Sequence, residues 1–177
     1  MKNLIKLAEQ GNAEAQFELA YKYYSGTDVA ISYTDAVFWF KKAAIQGHST
    51  AQYNIAQCYE KAIGVEQDYV AAFYWYGKAA EQGDVDAMTN MALYYYLGRG
   101  ASKDITFAIY WWRKAADFGN DKASFNLGIC YRDGIGVDRD LYEAKMWLKK
   151  AKELNHPDAS SALAPSAVPA WPINAAN

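Results

Sequence analysis

The chain has 177 residues, 52% of them hydrophobic and 21% charged, and a net charge of -2. Nothing in that balance predicts phosphate-backbone binding, which needs a clustered basic surface. No run approaches the roughly 20 apolar residues that a membrane-spanning helix needs.

The opening stretch, Met1 to Gln10, has no long apolar run and does not read as a secretory leader. Asn3 to Gln10 aligns one period upstream of Trp39 to Gln46, which makes it the tail of a helix lacking its Trp, an amino-terminal cap. The period is 36 residues. Its skeleton, A-x-x-W-x-x-K-A-x-x-x-G, is set by Ala36, Trp39, Lys42, Ala43 and Gly47. It returns at Ala72, Trp75, Lys78, Ala79 and Gly83, then at Ala108, Trp111, Lys114, Ala115 and Gly119. Ala144, Trp147, Lys150 and Ala151 form the last copy, with Asn155 in place of Gly. A fixed period of this size marks a repeat architecture, and full repeats span 11–46, 47–82, 83–118 and 119–154.

Each repeat reads as two helices. In the first, Ala15, Leu19, Ala20 and Tyr23 and their 36-residue equivalents fall on one helical face. The small residues admit a partner helix. Gly26, Gly98 and Gly134 supply a left-handed stop, from which Ala62 departs. Asp28 stands where later repeats carry Gly64, Gly100 or Gly136, and Asp tolerates that conformation. The second helix opens at Ser32, Asp68, Asp104 or Asp140, all good N-caps. Its Ala/Trp/Ala face is expected to be core, so that Trp111→Ala costs roughly 3–5 kcal/mol. Lys42, Lys78, Lys114 and Lys150 sit in the last turn, where a cation suits the helix dipole; a basic docking ridge is the other reading of that column.

These motifs resemble the Sel-one-like repeat, a 36-residue relative of the tetratricopeptide repeat. Leu127-Gly128, Tyr131, Gly134-Ile135-Gly136-Val137, Asp140, Ala144, Trp147 and Lys150-Ala151 carry the resemblance best. It implies an all-α fold, an α/α superhelical solenoid of about four helix-turn-helix repeats with short caps over residues 1–156. It also implies a protein that binds proteins or peptides along its concave first-helix surface. A cysteine-rich branch of the family is linked with β-lactams, but it carries paired cysteines in each repeat, and only Cys58 and Cys130 exist here. These two share a column two repeats apart. Helices stacked at about 8–10 Å put them roughly 20 Å apart, beyond the ~7 Å reach of a disulfide. They read as reduced, buried residues, consistent with a cytoplasmic location.

Residues 157–177 weaken the pattern. Pro157 to Ala164 reads as a capping helix, and Pro165, Pro169 and Pro172 break any helix after it. Trp171 is the natural anchor of this tail, which is a candidate for self-association in its own groove or a neighbour's.

No catalytic motif is present: no G-x-S-x-G, Gly-rich phosphate loop, C-x-x-C or H-E-x-x-H. His48 and His156 share a column three repeats apart and are expected in solvated turns. No cofactor, metal or catalytic residue is assigned. Candidate binding residues come from the side of the first helix opposite Leu19. Tyr21, Tyr24, Leu93 and Tyr96 form a candidate exposed strip, and Phe17, Tyr53, Phe125 and Arg132 flank it. Asn54, Asn90 and Asn126 stand one in each of the last three repeats, with Glu18 in the first, and their amides are suited either to gripping a peptide backbone or to packing between repeats. The expected function is a non-enzymatic adaptor for a protein or peptide partner. The alternative is a dedicated inhibitor, such as an immunity protein that neutralises a toxic enzyme.

Overall fold

The computed structural model of the chain describes residues 1–163. The expectations for Trp171 and the Pro-rich tail lie outside them. Every regular element among the described residues is a helix. Met1–Asp84 forms one compact unit, and a second begins at Val85.

The first unit holds α1 (Lys2–Glu9), α2 (Ala13–Ser25), α3 (Tyr33–Ile45), α4 (Ser49–Lys61) and α5 (Tyr69–Glu81). The second holds α6 (Val85–Leu97), α7 (Ile105–Asp117), α8 (Asp121–Asp133), α9 (Leu141–Glu153) and the short α10 (Ala159–Ala162). Within each unit every helix packs on its neighbours in sequence. The first-helix series is therefore α2, α4, α6 and α8, and the second-helix series is α3, α5, α7 and α9.

Local chemistry fixes these boundaries. The Ser32 side chain accepts from the Asp35 amide, and Asp68, Asp104 and Asp140 likewise cap α5, α7 and α9. The amide of each cap residue also donates back to the carbonyl of the column tyrosine. Ser32 reaches Tyr23 at 3.0 Å, Asp68 reaches Tyr59 at 3.1 Å, and Asp104 and Asp140 reach Tyr95 and Tyr131 at 2.9 Å. The same bond thus closes the inter-helix loop of all four hairpins. The left-handed stop occurs at Gly26, Gly98 and Gly134, and Ala62 adopts it too, at φ 56°. Asp28 is left-handed as well, at φ 64°.

The core of the first unit runs through Leu19, Ala20, Ala36, Phe40, Ala43, Ile55 and Ala56, all fully buried. In the second unit Trp112, Phe125, Leu127 and Ile129 take this role. Gly128 permits the close approach of α8 and α9, because a Cβ there would collide with the Leu148 side chain.

The Trp column departs from expectation. Trp39, Trp75, Trp111 and Trp147 are half-buried. The fully enclosed position is the next residue, occupied by Phe40, Tyr76, Trp112 and Leu148. The Ala pairs explain the shift. With Ala36, Ala43 and Ala44 against the first helix, residue 40 lies at the centre of that face, and residue 39 is rotated 100° to its edge. The histidines depart as well. His48 is half-buried and caps α4 by accepting from the Ala51 amide at 3.1 Å. His156 is buried.

Candidate functional site

Two faces of the repeat hold candidate residues: the side of the first helix turned away from its partner, and the outer side of the second helix.

On α2, Phe17 stacks on His48 with ring centroids 4.5 Å apart, and Tyr21 lies 6.5 Å from Phe17. Tyr21 is 53% exposed. Tyr24 is half-buried, edge-on to Tyr33 at 5.6 Å and to Phe40 at 6.2 Å, and burial pushes its phenol up from the usual range. On α4, Tyr53 packs 5.7 Å from Tyr76, and its hydroxyl accepts from Gln57 Nε2 at 3.0 Å. Asn54 is half-buried and donates to the Thr50 carbonyl one turn back at 2.7 Å. That bond uses a donor of the amide, so the side chain keeps acceptor capacity.

In the second unit, the expectation of exposure fails for most of the named residues. Leu93, Asn90, Phe125 and Asn126 are all buried. Tyr96 is half-buried against Trp112, with centroids 5.6 Å apart, and Lys103 sits over its ring at 5.5 Å. Arg132 is committed to Asp133 through two hydrogen bonds at 2.7 and 2.8 Å. The physical reason lies in composition. The away-facing positions of α6 and α8 are Thr89, Leu93, Phe125 and Ile129, which gain by leaving water. The corresponding positions of α2 and α4 are Phe17, Tyr21, Tyr53 and Gln57, of which Tyr21 and Gln57 carry polar groups that keep a hold on water and Tyr21 stays exposed. The three asparagines therefore do not share one environment, and only Asn54 is accessible.

Sequence reasoning missed a column of buried glutamines in the first unit. Gln16 Nε2 donates to the Ala8 carbonyl at 2.9 Å, and Gln52 Nε2 donates to Ala44 at 3.0 Å. Gln46 and Gln82 in turn donate to the amide oxygens of Gln16 and Gln52, each at 2.7 Å. Each glutamine ties its helix to the end of the preceding second helix. Their only signal was a polar residue one step after the invariant Ala.

The exposed aromatic surface also lies elsewhere than expected. Phe38, Tyr74, Tyr110 and Met146, one position before each Trp, are 51%, 53%, 52% and 45% exposed. The repeat lysine covers this ridge. Lys42 Nζ lies 5.0 Å from the Phe38 ring centre, Lys78 5.9 Å from Tyr74 and Lys114 5.7 Å from Tyr110, while Lys150 lies 5.1 Å from Trp147 beside Met146 in sequence. Such contacts contribute about 0.5–1 kcal/mol at exposed sites. The lysine column thus serves the aromatic ridge as well as the helix end. A wheel drawn from Phe40 would have found the ridge, since residue 38 lies about 200° away from it.

Burial pushes the Cys58 thiol up to about 11 and the Cys130 thiol up to about 12, so both stay protonated. Among the described residues no group of three or more His, Cys, Asp or Glu is placed to hold a metal. No described helix is long and apolar enough to cross a membrane.

Comparison with known proteins accords with this repeat geometry. The Sel1 repeat model matches residues 13–48, 49–84, 85–120 and 121–156. Its frame starts two residues after the one set by the Trp skeleton, so that each match begins at a first helix. Among solved structures, a protective antigen present in uropathogenic Escherichia coli strains, with an SLR fold, is 37% identical. The match has a TM-score of 0.85 and covers 89% of this chain and 34% of that one. A Sel1 repeat protein from Oxalobacter formigenes is 34% identical, with a TM-score of 0.86, over 92% of this chain and 67% of that one. The cysteine-rich protein B of Helicobacter pylori, at 22% identity and a TM-score of 0.54, shares the fold. The chain thus spans about a third of the E. coli antigen it resembles. No curated protein matches. With four matched repeats and an all-helical solenoid fold, the chain belongs to the Sel1 repeat family.

Proposed function

We propose that this chain is a non-enzymatic interaction scaffold that receives a protein or peptide partner on the away-facing side of α2 and α4. Sel1 repeat proteins are generally protein-interaction scaffolds, which supports the class of function. The observation that carries the site is Tyr21. It is a large aromatic, 53% exposed, on a first helix whose neighbouring aromatics Phe17, Tyr24 and Tyr53 are half-buried and held by ring contacts. A rigid aromatic platform with one projecting ring is the composition that binding hot spots favour. Asn54 on α4 offers an amide to a peptide backbone. The buried Asn90, Leu93, Phe125 and Asn126 are left out of this contact set. Two free, buried thiols fit work in a reducing compartment such as the cytoplasm.

The test is affinity capture from host lysate with the wild type beside Tyr21→Ser and Asn54→Ala, read by mass spectrometry. A partner held by the wild type and lost from both variants, with melting temperatures unchanged, supports the site. A partner held equally by all three overturns it.

A further inference from the structure

The outer side of α9 differs from that of the other second helices. It carries Lys145, Lys149, Lys150 and Lys152 against Glu143 and Glu153, in a chain whose net charge is -2. By contrast, α5 carries one lysine and one glutamate. Glu143 is already engaged, accepting from Trp147 Nε1 at 3.0 Å. The ion pairs of Lys22, Lys78 and Arg132 and the His48–Glu14 contact involve no lysine of α9.

Apolar surface lies between these ammonium groups. Tyr142 is 73% exposed and Met146 45%. Two shallow concavities, of about 490 and 590 Å³, share Lys149 and Glu153 as walls. Met146 and Trp147 line the first, and Lys145, Lys152 and Leu163 line the second. Lys145, Lys149 and Lys152 are spaced i, i+4, i+7, so they form one stripe about 10 Å long at 1.5 Å per residue. An extended peptide covers that length in about three residues.

We propose that this face of α9 docks an acidic peptide segment whose carboxylates meet the lysine stripe and whose apolar side chains enter the two concavities. Charge complementarity selects the occupant: unpaired ammoniums beside apolar hollows match alternating acidic and apolar residues. An anionic bilayer is the competing partner. It fits less well, because Glu153 walls both concavities and Asp140 and Glu143 flank Tyr142. A headgroup plane would press on all of those carboxylates at once, whereas a peptide spanning the stripe in about three residues need meet only the lysines and the hollows beside them.

The test uses the full chain and a fluorescein-labelled peptide in which Glu alternates with Leu and Phe, read by anisotropy. The controls are the same peptide with Lys for Glu, and phosphatidylserine-containing vesicles. Wild type should bind the acidic peptide and neither control. The triple reversal Lys145→Glu, Lys149→Glu, Lys152→Glu should weaken binding by about tenfold or more and admit the basic peptide. Met146→Ser should weaken binding without altering its salt dependence, and Tyr21→Ser should leave it unchanged. Melting temperatures should be retained throughout. Absence of binding to wild type, equal binding by the reversal and wild-type chains, loss of binding in Tyr21→Ser, or preference for vesicles would each overturn the proposal.

Discussion

His156 lies flat on Phe125, with ring centroids 4.2 Å apart and planes within 7° of each other. Its Nδ1 accepts from the Asp158 amide at 3.3 Å. Burial lowers its pKa from 6.5, outweighing Asp121 and Asp158, which act to raise it, while Lys122 lowers it further. The folded state therefore resists a proton that the unfolded chain accepts. The stabilising contribution is complete above about pH 6.5 and is lost as pH falls through the lowered folded value. Melting temperature should drop between pH 7 and pH 5. It should drop less in His156→Phe, which keeps the stack and removes the titration. Parallel pH profiles for the two proteins would rule out His156 as the source.

Much of the fold was legible because the repeat states the same instruction four times. The four N-caps, the left-handed stops and the small column at Ala20, Ala56, Ala92 and Gly128 are local requirements, and residue type declares them. Burial around the second helix was less legible. A Trp in a fixed column suggests a core residue, yet Trp39 to Trp147 occupy the edge, and the centre holds Phe40, Tyr76, Trp112 and Leu148. That centre varies in identity, so it does not stand out as a motif. Exposure in the candidate columns was legible only in part. The column that leaves Tyr21 exposed buries Leu93 and Ile129, and this depends on packing beyond the helix that bears them. The histidines were missed as ring-stacking residues because a turn residue gives no sign of the aromatic, Phe17 or Phe125, that waits 31 residues earlier.

Neighbouring tryptophans on α7 separate these two environments. Trp112 is fully buried and Trp111 half-buried. Trp112→Ala should cost about 3–5 kcal/mol through lost burial plus a closed cavity. Trp111→Ala opens to solvent and leaves no sealed void, so about 1–2 kcal/mol is expected. Urea unfolding of the two variants checks the order. A larger loss for Trp111→Ala would mean the core is centred on the motif tryptophan after all.

The asparagine column should divide in the same way. Asn54 makes one bond within its own helix, at 2.7 Å to Thr50, and Asn54→Ala should change stability by less than about 0.5 kcal/mol. Asn126 is fully buried, and Asn126→Ala should cost about 1–3 kcal/mol by disturbing a buried polar site. Thermal melts of the single variants decide this. Equal costs would mean that the two positions share one environment.

The loop stops offer a change in each direction. Ala62 ends α4 in the left-handed conformation at φ 56°, where Gly26, Gly98 and Gly134 serve the other hairpins. Ala62→Gly removes the Cβ clash of that conformation, which costs roughly 1–2 kcal/mol. It returns part of that gain through added freedom of the unfolded chain. A net stabilisation of about 0.5–1 kcal/mol is expected. Gly136 is the converse case. It has φ 69°, and a Cβ there would run into the side chains of Ile105 and Ile109. Gly136→Ala therefore combines backbone strain with overpacking and should cost about 2–4 kcal/mol. Both positions lie far from Tyr21 in sequence, and both are read by the same denaturation experiment. Destabilisation by Ala62→Gly would show that the methyl of Ala62 contributes more by contact than its backbone conformation costs.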